Sequence, residues 1–115
     1  AVGTAARDLS LLGEIAQRYA ASHCTVPTAC AVAHETLATT YADLDAWGSA
    51  LSQMNLAVRE DPSVDRWLRS AELALRSGAA RSAAVSLERA EHAGTLSGPQ
   101  RARLDQIRLQ VLERD

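Results

Sequence analysis

Two cysteines and two histidines crowd into one short stretch of the chain: His23, Cys24, Cys30 and His34. Thiolate and imidazole ligands in that number could hold a tetrahedral zinc ion. The spacing follows no zinc-finger pattern, however, and adjacent His23 and Cys24 would both have to turn toward one ion. A Cys24–Cys30 disulfide is the stronger expectation. It would close a short loop around Pro27, worth about 2 kcal/mol of chain entropy. It would also place the chain in an oxidising compartment, a periplasm or the cell exterior. Two reduced thiols, and with them the cytoplasm, are the remaining possibility. Cys30 and His34, four apart on one helix face, form a nominal thiol–imidazole pair. No orienting carboxylate or oxyanion-stabilising glycine motif accompanies them, so no catalytic residues are expected.

The rest of the chain offers less chemistry. There is no phosphate-cradling glycine loop, and the carboxylates are scattered, so neither a nucleotide cofactor nor a glycosidase-like pair is indicated. The net charge of −2 argues against a general nucleic-acid binder. All twelve basic residues are arginine, which fits a GC-rich, bacterial genome or a surface selected for bidentate contacts to carboxylate or phosphate. No run of 18 apolar residues exists to span a membrane. Ala1 to Asp8, small and polar, reads as the trimmed end of a mature protein or of an excised domain.

These residues must be positioned by helices. At 115 residues the chain makes one domain. Apolar residues reach 47%, but aromatics only 3%, so alanine must supply close helix contacts. The punctuation predicts six helices and no strand. The first spans about 5–22, with Leu9, Leu12, Ile15, Ala16 and Tyr19 as its apolar stripe. Pro27 opens the second, about 28–42. A turn at Asp43-Leu44-Asp45, with an aspartate able to cap, leads to the third, about 45–60. Asp61-Pro62-Ser63 starts the fourth, about 63–77, and Ser77-Gly78 turns into the fifth, about 80–93. Gly94 sits where a glycine ends a helix. Ser97-Gly98-Pro99-Gln100 then reads as a capping box for the sixth, about 99–113. Leu104, Ile107, Val111 and Leu112 form its buried stripe, opposite a charged face.

A self-match at a spacing of 33 residues runs through the middle of the chain. Ala38, Ala50 and Ala57 recur as Ala71, Ala83 and Ala90, and Met54 recurs as Leu87. Such a period marks stacked supersecondary units. Leu37-Ala38-x2-Tyr41, Trp47, Ala50-x3-Met54-x2-Ala57 and Pro62 resemble one tetratricopeptide repeat. Trp67-x2-Ser70-Ala71-x2-Ala74, Gly78 and Ala83-x3-Leu87-x2-Ala90 are similar to a second. That copy departs from the pattern at Ser70, where a large residue is usual, at Ala74, where an aromatic is usual, and at Thr95, where a proline would close the unit. The resemblance divides the chain into an N-terminal helix and cysteine loop (1–29), two repeats (30–62 and 63–96) and a C-terminal capping helix (97–115). It puts Trp47, Trp67 and His34 at packed positions.

The resemblance also implies a concave groove lined by the first helix of each pair. It places Val32, Glu35, Thr36, Thr39 and Asp43 there from one helix, and Leu68, Arg69, Glu72, Leu75 and Arg76 from another. Arg69 and Arg76 share a helix face and suit carboxylates. Glu72 lies between them, so a solvated ladder pairing it with both is the simpler alternative. Glu35 and Thr39 replace the lysine and asparagine with which some of these repeats clamp a C-terminal carboxylate. The expectation is therefore a non-enzymatic module binding a peptide or helix of a partner protein. Self-association within a larger assembly and a metal or thiol-redox role for the Cys/His group stand as alternatives.

Overall fold

A computed structural model describes residues 2–114, and the side chains of residues 11–114. Within them the protein is all-α: α1 (Val2–His23), α2 (Pro27–Asp43), α3 (Trp47–Glu60), α4 (Val64–Arg76), α5 (Ala80–Ala93) and α6 (Gly98–Arg114). Connections of three or four residues force neighbouring helices back alongside one another. The tightest pairings are α2 with α3 and α4 with α5, joined through α3 and α4. The helix α1 packs on α2, and α6 packs on both α4 and α5.

Alanine makes these close approaches possible. Ala31, Ala50, Ala57, Ala71, Ala74, Ala83 and Ala90 are all fully buried. One core gathers Leu37, Tyr41, Met54 and Leu73 around the α2–α3 pair; a second gathers Leu68, Leu75, Leu87, Leu104 and Ile107 around α4, α5 and α6. Trp67 packs against both, so it ties the two pairs into one body. Ser70 is fully buried where a large apolar residue would be usual. Its hydroxyl donates to Asn55 Oδ1 at 2.9 Å and lies 3.3 Å from Ser86 Oγ. A polar junction of α3, α4 and α5 thus replaces bulk, with its hydrogen bonds satisfied.

The helix ends show which local signals govern. Pro27 takes the first turn of α2, where its missing N–H costs nothing. Ser63 accepts from the Arg66 N–H at 3.1 Å, and Ser97 and Gln100 bond reciprocally at 2.9 and 3.2 Å as a capping box. The expected aspartate cap on α3 does not form. Asp43 ends α2, Asp45 takes the left-handed conformation at φ 56°, and Ala46 precedes α3 without a side-chain cap. The short polar side chain of Asp45 tolerates that conformation, so the turn uses it for backbone direction. Gly78 has the same role at φ 84°. Gly94 ends α5 in extended backbone, not as a left-handed cap.

Two apolar stripes are narrower than expected. On α1, Ala16 is buried and Leu12 and Tyr19 are half-buried, but Ile15 is 61% exposed; Leu9 lies outside the described side chains. On α6, Leu104, Ile107 and Val111 are buried, whereas Leu112 is 63% exposed. In both cases the helix rests against too few neighbours to cover the edge of its stripe. Among the described residues no helix is long and apolar enough to cross a membrane.

Candidate functional site

The helices α2, α4 and α6 share one face of the molecule, and long-range ion pairs mark their contacts. Arg66 on α4 reaches Glu35 on α2, and also bonds Asp61 through its carbonyl at 2.8 Å and Oδ2 at 2.9 Å. Burial alone would lower the Arg66 pKa. Hydrogen bonds and attraction from Glu35, then Asp61, outweigh that and raise it. One helix further on, Arg103 on α6 reaches Glu72 on α4. Both pairs join residues 31 apart in sequence, so an arginine–glutamate link of the same span joins α2 to α4 and α4 to α6. Gln100 adds a bond to Asp65 Oδ1 at 3.0 Å, and Arg114 donates to the Leu75 carbonyl at 2.7 Å.

Two clefts open on this face. The first, about 200 Å³, is lined by Glu35, Thr39, Met54, Asp65, Arg69 and Arg103. The second, about 430 Å³, is lined by Glu72, Leu75, Arg76, Gln110, Glu113 and Arg114. Six of the residues expected in a groove therefore fall at these clefts: Glu35, Thr39, Arg69, Glu72, Leu75 and Arg76. Thr36 and Asp43 are exposed on α2 but line neither cleft, and the Thr36 hydroxyl turns back to the Val32 carbonyl at 2.9 Å. Leu68 is fully buried in the second core and presents no surface to a groove, which corrects its expected place. The reason is geometric: Leu68 lies on the stripe of α4 that meets α5 and α6.

The charge ladder expected along α4 does not form. Glu72 turns to Arg103 on α6, and among the described residues no carboxylate lies within 4.0 Å of Arg69 or Arg76. The Arg76 guanidinium instead stands over the Trp47 ring, 5.3 Å from its centroid, a distance at which a cation is attracted to the ring face. Trp47 is thus partly packed against the first core and partly a platform that fixes Arg76. Sequence reasoning missed Arg103, Gln110, Glu113 and Arg114 as residues lining these clefts. The only available signal was the dense charge on α6.

The cysteine corner lies apart from this face. The sulfurs of Cys24 and Cys30 stand at disulfide distance, with Cα atoms 4.1 Å apart. The two histidines do not join them. His23 stacks on Tyr19 with ring centroids 4.0 Å apart and bonds the Tyr19 carbonyl through Nδ1 at 2.9 Å. His34 bridges α2 and α3, with Nδ1 2.8 Å from Gln53 Oε1 and Nε2 3.1 Å from Glu60 Oε1. The third group at the sulfurs is Glu60, whose Oε2 is 3.9 Å from Cys24 Sγ. Comparison with protein-family models, curated proteins and solved structures finds no match in any of the three.

Proposed function

We propose that the protein is a non-enzymatic interaction module of the tetratricopeptide type, holding an acidic peptide or helix of a partner protein against the face formed by α2, α4 and α6. The observation that carries this reading is the pair of guanidiniums on α4. Arg69 and Arg76 are seven residues apart on one helix face, line neighbouring clefts and have no carboxylate partner among the described residues. An arginine pre-positioned on a tryptophan ring loses less freedom when it takes up a carboxylate. The ion pairs Glu35–Arg66 and Glu72–Arg103 neutralise the neighbouring charges and stiffen the face. The Cys24–Cys30 pair, as a disulfide, fits a module working in a periplasm or outside the cell.

The test is a displayed library of helical peptides selected on the wild-type protein. Selected peptides rich in Asp and Glu should lose about tenfold or more in affinity for Arg69→Glu/Arg76→Glu protein of unchanged helicity. Equal affinity for both proteins would remove the arginines from the site.

A second reading has its own support. Val85, Leu109 and Leu112 are each more than half exposed on α5 and α6. A nearby cleft of about 340 Å³ between these helices is lined by Ala84, Leu87, Val111 and Leu112, with Glu88, Glu91 and Arg108 at its polar side. An apolar edge of this kind suits self-association or packing within a larger assembly. Light scattering across a concentration series separates the two readings, since a strict monomer at high concentration counts against self-association.

A further inference from the structure

We propose that reduction of Cys24 and Cys30 turns their corner into a site for a divalent cation of the zinc class, with both sulfurs and one Glu60 carboxylate oxygen as ligands. The three ligand atoms already lie within 4.8 Å of one another. Zinc bonds sulfur at about 2.3 Å and carboxylate oxygen at about 2.0–2.2 Å, so tetrahedral ligands stand roughly 3.6–3.8 Å apart. The 3.9 Å between Cys24 Sγ and Glu60 Oε2 is close to that value. Once their bond is broken, the sulfurs need only separate to ordinary contact.

The surroundings suit a bound cation. His34 Nε2, 3.1 Å from Glu60 Oε1, fixes the carboxylate, and Gln53 in turn fixes the imidazole. A histidine holding a ligating carboxylate from behind is an outer-shell device that tunes metal affinity. His34 is therefore a positioning residue, not a ligand. Cys30 is buried in the opening turns of α2, whose first turn carries no acidic residue. Two thiolates and a carboxylate around a divalent ion leave one net negative charge, which a helix N-terminus favours. A cleft of about 340 Å³, lined by Cys24, Val26, Pro27, Cys30 and Glu60 among others, leaves the fourth position to water.

The chemistry balances with a dithiol as reductant. It supplies two electrons and two protons to the sulfur–sulfur bond and leaves as its own disulfide. Metal binding then releases both thiol protons to solvent. The bonded and metal-holding states exclude one another, so the corner reports the redox poise of its surroundings.

The experiment is an anaerobic titration of phosphine-reduced protein with Co²⁺, read by its thiolate-to-cobalt charge-transfer absorption. One equivalent should bind to the reduced protein and none to the oxidised form. Glu60→Gln should weaken binding about tenfold or more. His34→Gln should weaken it about 10–100-fold while keeping the charge-transfer band, which a lost ligand or lost fold would not do. X-ray absorption of the zinc-loaded wild type should show two sulfur ligands with oxygen completing the shell, a result that does not depend on any variant folding. Absence of stoichiometric Co²⁺ in the reduced protein would overturn the proposal, as would equal binding by oxidised protein or unchanged affinity in a folded Glu60→Gln variant.

Discussion

Replacing Leu104 by alanine probes how the last helix is held, and with it one of the three helices of the proposed binding face. Leu104 is fully buried in the second core, and α6 has only Ile107 and Val111 as further buried anchors. Loss of three carbons at about 0.8 kcal/mol each, plus a modest term for the cavity left behind, gives a cost of about 3 kcal/mol. Unfolding entropy of about 2.1 cal/mol/K per residue over the chain converts this to a fall in Tm of roughly 12 °C. Calorimetry measures that fall. Hydrogen exchange then reports whether α6 opens first, because α6 packs only on α4 and α5 among its described neighbours. The expected result is faster exchange concentrated in α6, with α2 and α3 protected nearly as before. A loss below about 1 kcal/mol with α6 still protected would mean that the helix is anchored by something other than its buried stripe.

Four further outcomes follow from particular positions. Reducing the Cys24–Cys30 pair in chelator-containing buffer should lower Tm by roughly 8 °C, from about 2 kcal/mol of lost loop constraint, and calorimetry with and without reductant checks it. Gly78→Ala should destabilise by about 1 kcal/mol through its φ of 84° alone, because an added Cβ meets nothing within 4 Å. Gly48→Ala, equally open but inside α3, should stabilise by roughly 0.5 kcal/mol; urea midpoints of the two variants should therefore move in opposite directions. Ser70→Leu should cost about 1–3 kcal/mol despite restoring a large residue, because the site is already filled by the Asn55 and Ser86 contacts; a stabilised variant would contradict the polar junction.

What was legible in the sequence was local. Ser97 and Gln100 announce their capping box three residues apart, Pro27 its place at a helix start, and the alanines at a period of 33 the close approach of paired helices. Asp45 misled because a short polar residue before a helix can cap it or turn the chain left-handed, and only the packing of α2 on α3 decides. Groove electrostatics were opaque for a related reason. Glu72 has arginines three and four residues away on its own helix, yet it pairs with Arg103, 31 residues on. Helical spacing predicts only the local ladder, while tertiary approach brings in the competitor. Glu60 was invisible as a neighbour of the cysteines until α3 was placed beside the loop after α1. The exposed Ile15 and Leu112 show the same limit, since a stripe on α1 or α6 says which residues are apolar but not how wide the contact is.

The most direct test of the central claim is an amide chemical-shift titration with an Asp/Glu-rich peptide selected on the wild-type protein. The expected result is a set of shifts along α2, α4 and α6 around Arg69, Arg76 and Arg103, abolished in Arg69→Glu/Arg76→Glu protein. Shifts confined to the α5–α6 edge around Val85 and Leu112, unchanged by the charge reversal, would contradict it and move the binding surface to the apolar end of the array.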